Sequence, residues 1–361
     1  MLMNSKIFIN DNIPNHSRQR GVSRYFWAIV DGAINEFGAN TAICSSIIRD
    51  YGQSKHIRSF RPRMRIHDFI ASSSALLFRP SIFFSPYYGN AYTKSTEIFT
   101  VYDMIYELFQ NHFPHEESVQ KFILEKKRCM DRSSALLAIS HSTANDITSC
   151  YPEIDEKKIF VIHLGVSDIF QRSDNKRQNR NHKPYFLYIG RRETYKNFKR
   201  LLIAFGLSNL GQDFDLRVVS TGQYTQFSKQ ESDIITQYDL VGKVHLESDI
   251  PDLKLRNYYA NSAGLIYPSE YEGFGFPILE AMASGTIVGT SNTSSMPEVG
   301  GEVAIYFDPF SEESIAHSLT KIANMSFEER DHWIKMGRLR AKTFSWSRCY
   351  KQTSDVFKKF M

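Results

Sequence analysis

Between positions 265 and 281 the chain reads LIYPSEYEGFGFPILEA, a stretch that holds two carboxylates eight positions apart, Glu272 and Glu280. An apolar strand stops at Pro268 and a loop carries Glu272. Pro277 suits the first position of a following helix, because its missing N–H would be unpaired there anyway. Gly273 and Gly275 remove the Cβ atoms that would hold a ligand off the backbone. The N–H groups of the helix start then make an anion site suited to phosphate. With Glu272 in the loop and Glu280 expected in the first helical turn, the two cannot share a helix face, but they can flank one ligand. Carboxylates accept hydrogen bonds from hydroxyl groups. The pattern therefore fits a phosphate set between two hydroxylated groups, as in a nucleotide-sugar. The bland alternative is a solvated Glu272 and a Glu280 favoured by the helix dipole.

A second constellation is IGRRETYKN at 189–197, just past an apolar strand. Arg191 can grip phosphate oxygens with its planar fork, and Lys196 can act as a point charge. Two cations on one such loop, opposite a helix start, would clamp a diphosphate. Taken alone, the stretch also reads as a solvated loop. Asp213 and Asp215 form a D-x-D, but it precedes a strand instead of ending one and reads as loop chemistry.

The elements that must position these residues are short apolar runs alternating with helical patterns. Runs at 6–10, 81–84, 98–102, 135–139 and 159–163 read as buried strands, with helices expected from about 24 and over 122–130. The polar run 171–184, QRSDNKRQNRNHKP, cannot bury itself and reads as an interdomain linker. The rhythm restarts with strands at 185–189, 216–220, 243–246, 264–267 and 286–289, helices over 197–207 and 226–238, and a last helix at 348–360. Such a rhythm indicates parallel sheets covered by helices on both faces. The expected fold class is α/β, with two Rossmann-like doubly wound parallel-sheet domains facing a cleft. Ligands would sit beyond the carboxyl ends of the strands.

Composition narrows the function classes. The chain has 361 residues, 42% apolar and 23% charged, enough for two cores and incompatible with wholesale disorder. No apolar run reaches the length of a membrane span, and the N-terminus has no long apolar run or small-residue cleavage site, so a cytoplasmic chain is expected. The four cysteines are scattered, without a C-x-x-C pair, which argues against a disulfide framework or zinc site. A formal charge of +5 is too weak to argue for nucleic acid. Two basic clusters stand out. Arg49, Lys55, Arg58, Arg61, Arg63 and Arg65 form one; Lys121, Lys126, Lys127, Arg128 and Arg132 form the other. With Ile57, Phe60, Met64, Phe122 and Ile123 interleaved, they suggest peripheral contact with an anionic membrane carrying a lipid-linked acceptor. A solvated basic face is the alternative.

SEYEGFGFPILEAMASG resembles the E-x7-E region of the retaining family-4 glycosyltransferases, which have the GT-B fold. The likeness runs through YIGRRETYKN, VVSTG, KVHLESDIPDLKLRNYYANSAGLIYPS, SSMPEVGGEVAIYFDP and FSW. It is weaker upstream in GVSRYF, AISHSTANDI and VIHLGVSDIF. The resemblance implies that Glu272 contacts the donor sugar and Glu280 the nucleotide ribose. It implies that the backbone of Gly273, Phe274 and Gly275 meets sugar and phosphates, and that Arg191 and Lys196 hold the donor diphosphate. Gly21 matches the N-terminal loop that closes over the phosphates and acceptor. One position departs: where many members have His-Asp, this chain has Tyr102-Asp103, leaving Asp103 as an acceptor-orienting group or as a cap for the next segment. The domains implied are an acceptor-binding one at 1–175, a donor-binding one at 184–343, and a helix at 344–361 crossing back to the first.

The activity this resemblance implies is hexosyl transfer with retention, mannose from GDP-mannose being the favoured donor, in bacterial surface polysaccharide synthesis. No metal or other cofactor is expected, the nucleotide-sugar being a co-substrate and the departing phosphate taking the acceptor's proton. Rival readings are a nucleotide-sugar epimerase or a phosphorylase, a non-catalytic GT-B partner subunit, and a dinucleotide-dependent oxidoreductase. The last needs G-x-G-x-x-G, and Gly273-x-Gly275 has Ile278 at the third glycine place.

Overall fold

The computed structural model describes residues 6–11, 13, 21–45, 58–60, 67–89, 91, 93–113, 116–171, 183–192, 194–220 and 225–361. The chain divides into two compact units, one of residues 1–165 and 345–361, the other of 166–344. Each is built on one parallel sheet.

The first unit has strands β1 (Ile7–Asn10), β2 (Thr41–Cys44), β3 (Arg58–Phe60), β4 (Ile82–Ser85), β5 (Thr96–Val101), β6 (Ala135–Ala138) and β7 (Ile159–Val161), in the order β3-β2-β1-β4-β5-β6-β7. Its helices are α1 (Gly21–Phe37), α2 (His67–Phe78), α3 (Ile105–Leu108), α4 (Glu116–Arg132) and α5 (His141–Cys150). The second unit opens with α6 (Asp168–Gln171). Its strands are β8 (Tyr185–Gly190), β9 (Asp215–Ser220), β10 (Val244–Ser248), β11 (Gly264–Tyr267), β12 (Val288–Ser291) and β13 (Ile305–Phe307), in the order β10-β9-β8-β11-β12-β13. Its helices α7 (Phe198–Leu207), α8 (Lys229–Gln237), α9 (Asp252–Asn261), α10 (Phe276–Ser284), α11 (Met296–Gly300), α12 (Glu312–Ala323) and α13 (Phe327–Lys342) precede α14 (Trp346–Lys359), which belongs to the first unit.

Four-residue apolar runs such as β1 and β11 are buried throughout, as strands covered by helices on both faces must be. Both sheets therefore repeat one doubly wound order, reversing between β1 and β4 in the first and between β8 and β11 in the second. β2, β3 and β13 escape the sequence reading, the last two being only three residues long. β3 also lies inside the first basic run, most of which falls outside the described residues.

The unit boundary lies at 165–166, not within the expected linker at 171–184, of which 172–182 lie outside the described residues. The reason is Phe170. Its fully buried ring sits edge-on to Tyr259 at 5.9 Å, which draws α6 onto α9 and α10. Gly165 abuts the backbone where α14 begins; a Cβ there would lie 2.3 Å from the Trp346 nitrogen. α14 itself packs on α1, where Glu36 accepts from Tyr350 Oη at 2.7 Å and Ser354 Oγ at 2.6 Å and pairs with Lys358.

The second basic cluster is not one basic face. Lys126 is fully buried, its Nζ 2.5 Å from Glu107 Oε2 and 3.0 Å from the Asp103 carbonyl. Arg132 pairs with Glu97 at 2.6 Å, and Lys127 with Asp131 and Glu153 at 2.5 and 2.9 Å. Phe122 packs against Tyr88 and Tyr106 and cannot dip into an interface. Only Lys121 and Arg128 of the five are exposed.

Removing one member of a buried ion pair strands the other charge, at about 3–5 kcal/mol. Lys126→Met should therefore lower the urea midpoint sharply, and Lys126→Met with Glu107→Gln should recover most of the loss. Equal losses in the two variants would show that the pair is not what holds this segment.

Candidate functional site

In the second sheet the order reverses between β8 and β11, the place where doubly wound sheets offer a ligand site beyond their carboxyl ends. β8 ends at Gly190 and β11 at Tyr267, so the loops leaving them carry Arg191, Lys196 and Glu272. Parallel pairing of β11 on β8, with Leu265 opposite Leu187, sets those loops side by side.

Lys196 Nζ donates to Glu272 Oε1 at 2.6 Å, joining residues 76 apart in sequence. Both side chains are largely buried, at 14% and 13% exposure. A second donor reaches the same oxygen: Tyr267 Oη, at 2.5 Å. The Glu272 backbone is held too, its carbonyl accepting from Ser294 Oγ at 2.6 Å and Ser295 Oγ at 2.8 Å, both from the loop after β12. Burial first, and then the Glu272 carboxylate, push the Tyr267 phenol well above the ordinary tyrosine range.

Lys196 closes a short 3₁₀ turn, and Asn197 follows in the left-handed region with φ of 59° before α7 begins. That strained position is over-determined. The buried Asn197 amide donates to the Pro268 carbonyl at 3.1 Å and the Pro309 carbonyl at 2.6 Å. Arg200, one turn into α7, reaches Glu270 at 3.2 Å and Glu312 at 2.9 Å. Glu270 N–H donates to the Tyr195 carbonyl at 2.8 Å. The two loops are thus stitched to each other and to the segment before α12.

Gly275 heads α10 with φ of 99°, a left-handed cap that a side chain would strain. Phe276 takes the first helical position and Pro277 the second, one later than the sequence suggests, and no side chain caps this terminus. Glu280 consequently lies in the second turn, not the first. It is 6% exposed and accepts from Tyr259 Oη at 3.0 Å, so its placement owes nothing to a first-turn dipole. Phe274 points inward, packed against Phe276 and Phe344, and Gly275 is buried beside it, leaving Gly273 the part-exposed position of the three.

Arg191 is exposed, and its carbonyl accepts from Tyr188 Oη at 2.6 Å. Its neighbour Arg192 turns inward, pairing with Glu231 at 2.9 Å under the rings of Phe198 and Phe227. Asp215 opens β9, at the amino end of the strands and away from these loops, bound by Lys183 and His245. Gly21 and Asp103 belong to the other unit. Gly21 is the first residue of α1 and not part of the loop before it, of which 14–20 lie outside the described residues. Asp103 Oδ1 accepts from the Ile105 N–H at 3.2 Å, capping α3. The adjacent Tyr102 hydroxyl is buried without a partner.

Sequence reasoning named Lys196 and Glu272, which the structure joins, with Arg191 on the loop of Lys196 and Glu280 on α10 against Tyr259. It missed Tyr267, Asn197, Ser294, Ser295 and Tyr259, which hold them. A phenol closing the otherwise aliphatic GLIY strand was the one available signal for Tyr267.

Residues 170–340 match the family model of glycosyl transferases group 1. Over 179 residues, 48% of this chain and 45% of the relative, the sequence is 35% identical to O-antigen chain mannosyltransferase B of Escherichia coli. Over 207 residues, 57% of this chain and 55% of the relative, it is 27% identical to O-antigen chain mannosyltransferase RfbU of Salmonella typhimurium. The chain spans about half the length of these curated relatives. The crystal structure of Anabaena Alr3699/HepE in complex with UDP and glucose superposes with a TM-score of 0.71 at 12% identity, covering 98% of this chain and 99% of that one. The chain has the GT-B fold, and its residues 170–340 are similar to the group 1 glycosyl transferases.

Proposed function

We propose that the protein is a retaining glycosyltransferase that moves a hexose, mannose from GDP-mannose, onto a saccharide or lipid-linked acceptor in surface polysaccharide synthesis. The observation that carries this reading is the Lys196–Glu272 pair, set beyond the carboxyl ends of β8 and β11 and followed four residues later by the uncapped start of α10. Glu272 would accept from the donor sugar and Glu280 from the ribose. Arg191, Lys196 and the α10 N-terminus would take the diphosphate. The choice of mannose is supported by the names of the two bacterial relatives.

In the reaction the acceptor hydroxyl oxygen bonds to the anomeric carbon as the carbon–phosphate oxygen bond breaks on the same face. The proton passes to the departing phosphate oxygen. The protein contributes position and charge stabilisation of the leaving diphosphate, without a metal. In the first unit Asp103 would orient the acceptor through Oδ2, its Oδ1 being taken by the Ile105 N–H.

Contact with an anionic cytoplasmic leaflet would bring a lipid-linked acceptor within reach. No helix among the described residues is long and apolar enough to cross a membrane. Support for peripheral contact comes from α2, which exposes Phe69, Leu76 and Leu77 at 74%, 67% and 80%. Spacings of seven and eight set the three on one helix face, and exposed Arg79 follows it.

The first test is a thermal-shift panel of GDP, UDP, dTDP and ADP with their sugars, with and without EDTA. A selective rise in midpoint for GDP and GDP-mannose, unchanged by EDTA, is expected. No shift from any nucleotide would sink the reading in favour of a non-catalytic subunit. Losing one partner of the buried contact costs about 2–5 kcal/mol, so Lys196→Ala and Glu272→Ala should each cut turnover at least thirtyfold without unfolding the protein. The adjacent arginines should separate. Arg191→Ala weakens diphosphate binding, whereas Arg192→Ala strands buried Glu231 and lowers the melting temperature by several degrees. For the membrane, sedimentation with anionic vesicles at moderate salt should be lost on changing Phe69 and Leu77 together to serine. Absence of sedimentation by the wild type would dispose of this contact.

A further inference from the structure

We infer that Tyr267 is a positioning residue of the donor-sugar subsite, holding the Glu272 carboxylate by Oε1 so that Oε2 is presented to a sugar hydroxyl. The inference rests on the donor-site reading given above. Both donors that reach this carboxylate converge on one oxygen, Lys196 Nζ at 2.6 Å and Tyr267 Oη at 2.5 Å. Among the described residues nothing donates to the other oxygen. An ionised carboxylate offers about four lone-pair sites, so Oε2 keeps accepting capacity that the described residues leave unused.

Tyr267 ends β11 and is 3% exposed, with its carbonyl fixed by Thr290 Oγ1 at 3.1 Å. A phenylalanine would fill the same space. A hydroxyl buried there must instead find an acceptor or cost stability, and the acceptor it finds is the residue five positions ahead in the ligand loop. Its raised titration range keeps the phenol protonated, hence a donor, at every working pH. Lysine alone could swing on its four-carbon stem; the rigid phenol, anchored in the sheet, fixes which way the carboxylate faces.

The division of labour gives a readout that a merely structural hydroxyl would not move. A residue that orients the sugar acceptor should affect the nucleotide-sugar and spare the nucleoside diphosphate. Tyr267→Phe is measured against wild type by calorimetric titration with GDP and GDP-mannose, and with UDP and UDP-glucose, together with the melting temperature. The expected result is an affinity for the nucleotide-sugar, or its turnover, reduced about tenfold to a hundredfold, the loss of one hydrogen bond to a charged group. Affinity for the matching diphosphate should stay within about twofold. In a Glu272→Ala background the same change should add little, because its effect runs through that carboxylate. Equal losses for diphosphate and nucleotide-sugar, or undiminished nucleotide-sugar binding by Tyr267→Phe, would overturn the inference and leave the donor site standing. Wild-type protein that binds none of the four ligands would overturn both.

Discussion

A carboxylate and an ammonium held against each other beyond the carboxyl ends of a sheet's central strands, mostly out of water, are a poor bargain unless further hydrogen bonds complete them. The Lys196–Glu272 contact is therefore the constraint on which the second unit's ligand rim depends. It closes across 76 residues only because β11 lies beside β8, and β11 lies there because the doubly wound order reverses at that place. The Tyr267 hydroxyl, from the strand below, completes the pair at the carboxylate, while Ser294 and Ser295, from the loop after β12, fix the Glu272 backbone carbonyl. Shift the register of β11 by one residue and Tyr267 would face the other side of the sheet, leaving Glu272 with lysine alone.

The same constraint explains the strained asparagine. To deliver Lys196 toward Glu272, the chain must turn sharply between the 3₁₀ turn and α7, and Asn197 adopts a left-handed conformation to do it. Asparagine tolerates that region better than most residues. Its amide then ties the Pro268 and Pro309 carbonyls, so the conformation needed for the lysine also joins three segments of the rim.

What the sequence made legible was local. Strand, proline, two glycines and a second proline in succession mark a strand-to-helix junction whatever surrounds it, and that junction exists at 264–284. The helix starts one residue earlier than the proline suggests, which moves Glu280 into the second turn. Contacts between distant residues were not legible, because a loop sequence does not say which strand will be its neighbour. The Lys196–Glu272 pair and its seryl supports are of that kind, whereas Tyr267 lies only five positions before Glu272. The basic cluster on α4 is a different case. Val119, Phe122, Lys126, Cys129 and Met130 recur at helical spacing and are buried or half-buried together. The period therefore puts Lys126 in the apolar stripe, and reading the helix by its charges alone concealed it.

Burial of an ion pair is not what marks the ligand rim. Lys126–Glu107 and Arg192–Glu231 are more deeply buried than Lys196–Glu272. In both of those, however, each carboxylate oxygen has an internal donor. Glu107 takes Lys126 on Oε2 and Tyr151 on Oε1, while Glu231 takes Arg192 on Oε1 and the Ser228 N–H on Oε2. Such carboxylates are complete, and removing a partner can only cost stability. Glu272 receives both of its donors on one oxygen. The three pairs use the same chemistry, a cation and a second donor for each glutamate. They differ in how those donors are distributed, and an arrangement that doubles up on Oε1 stabilises the charge while leaving half of its accepting capacity unused by the protein.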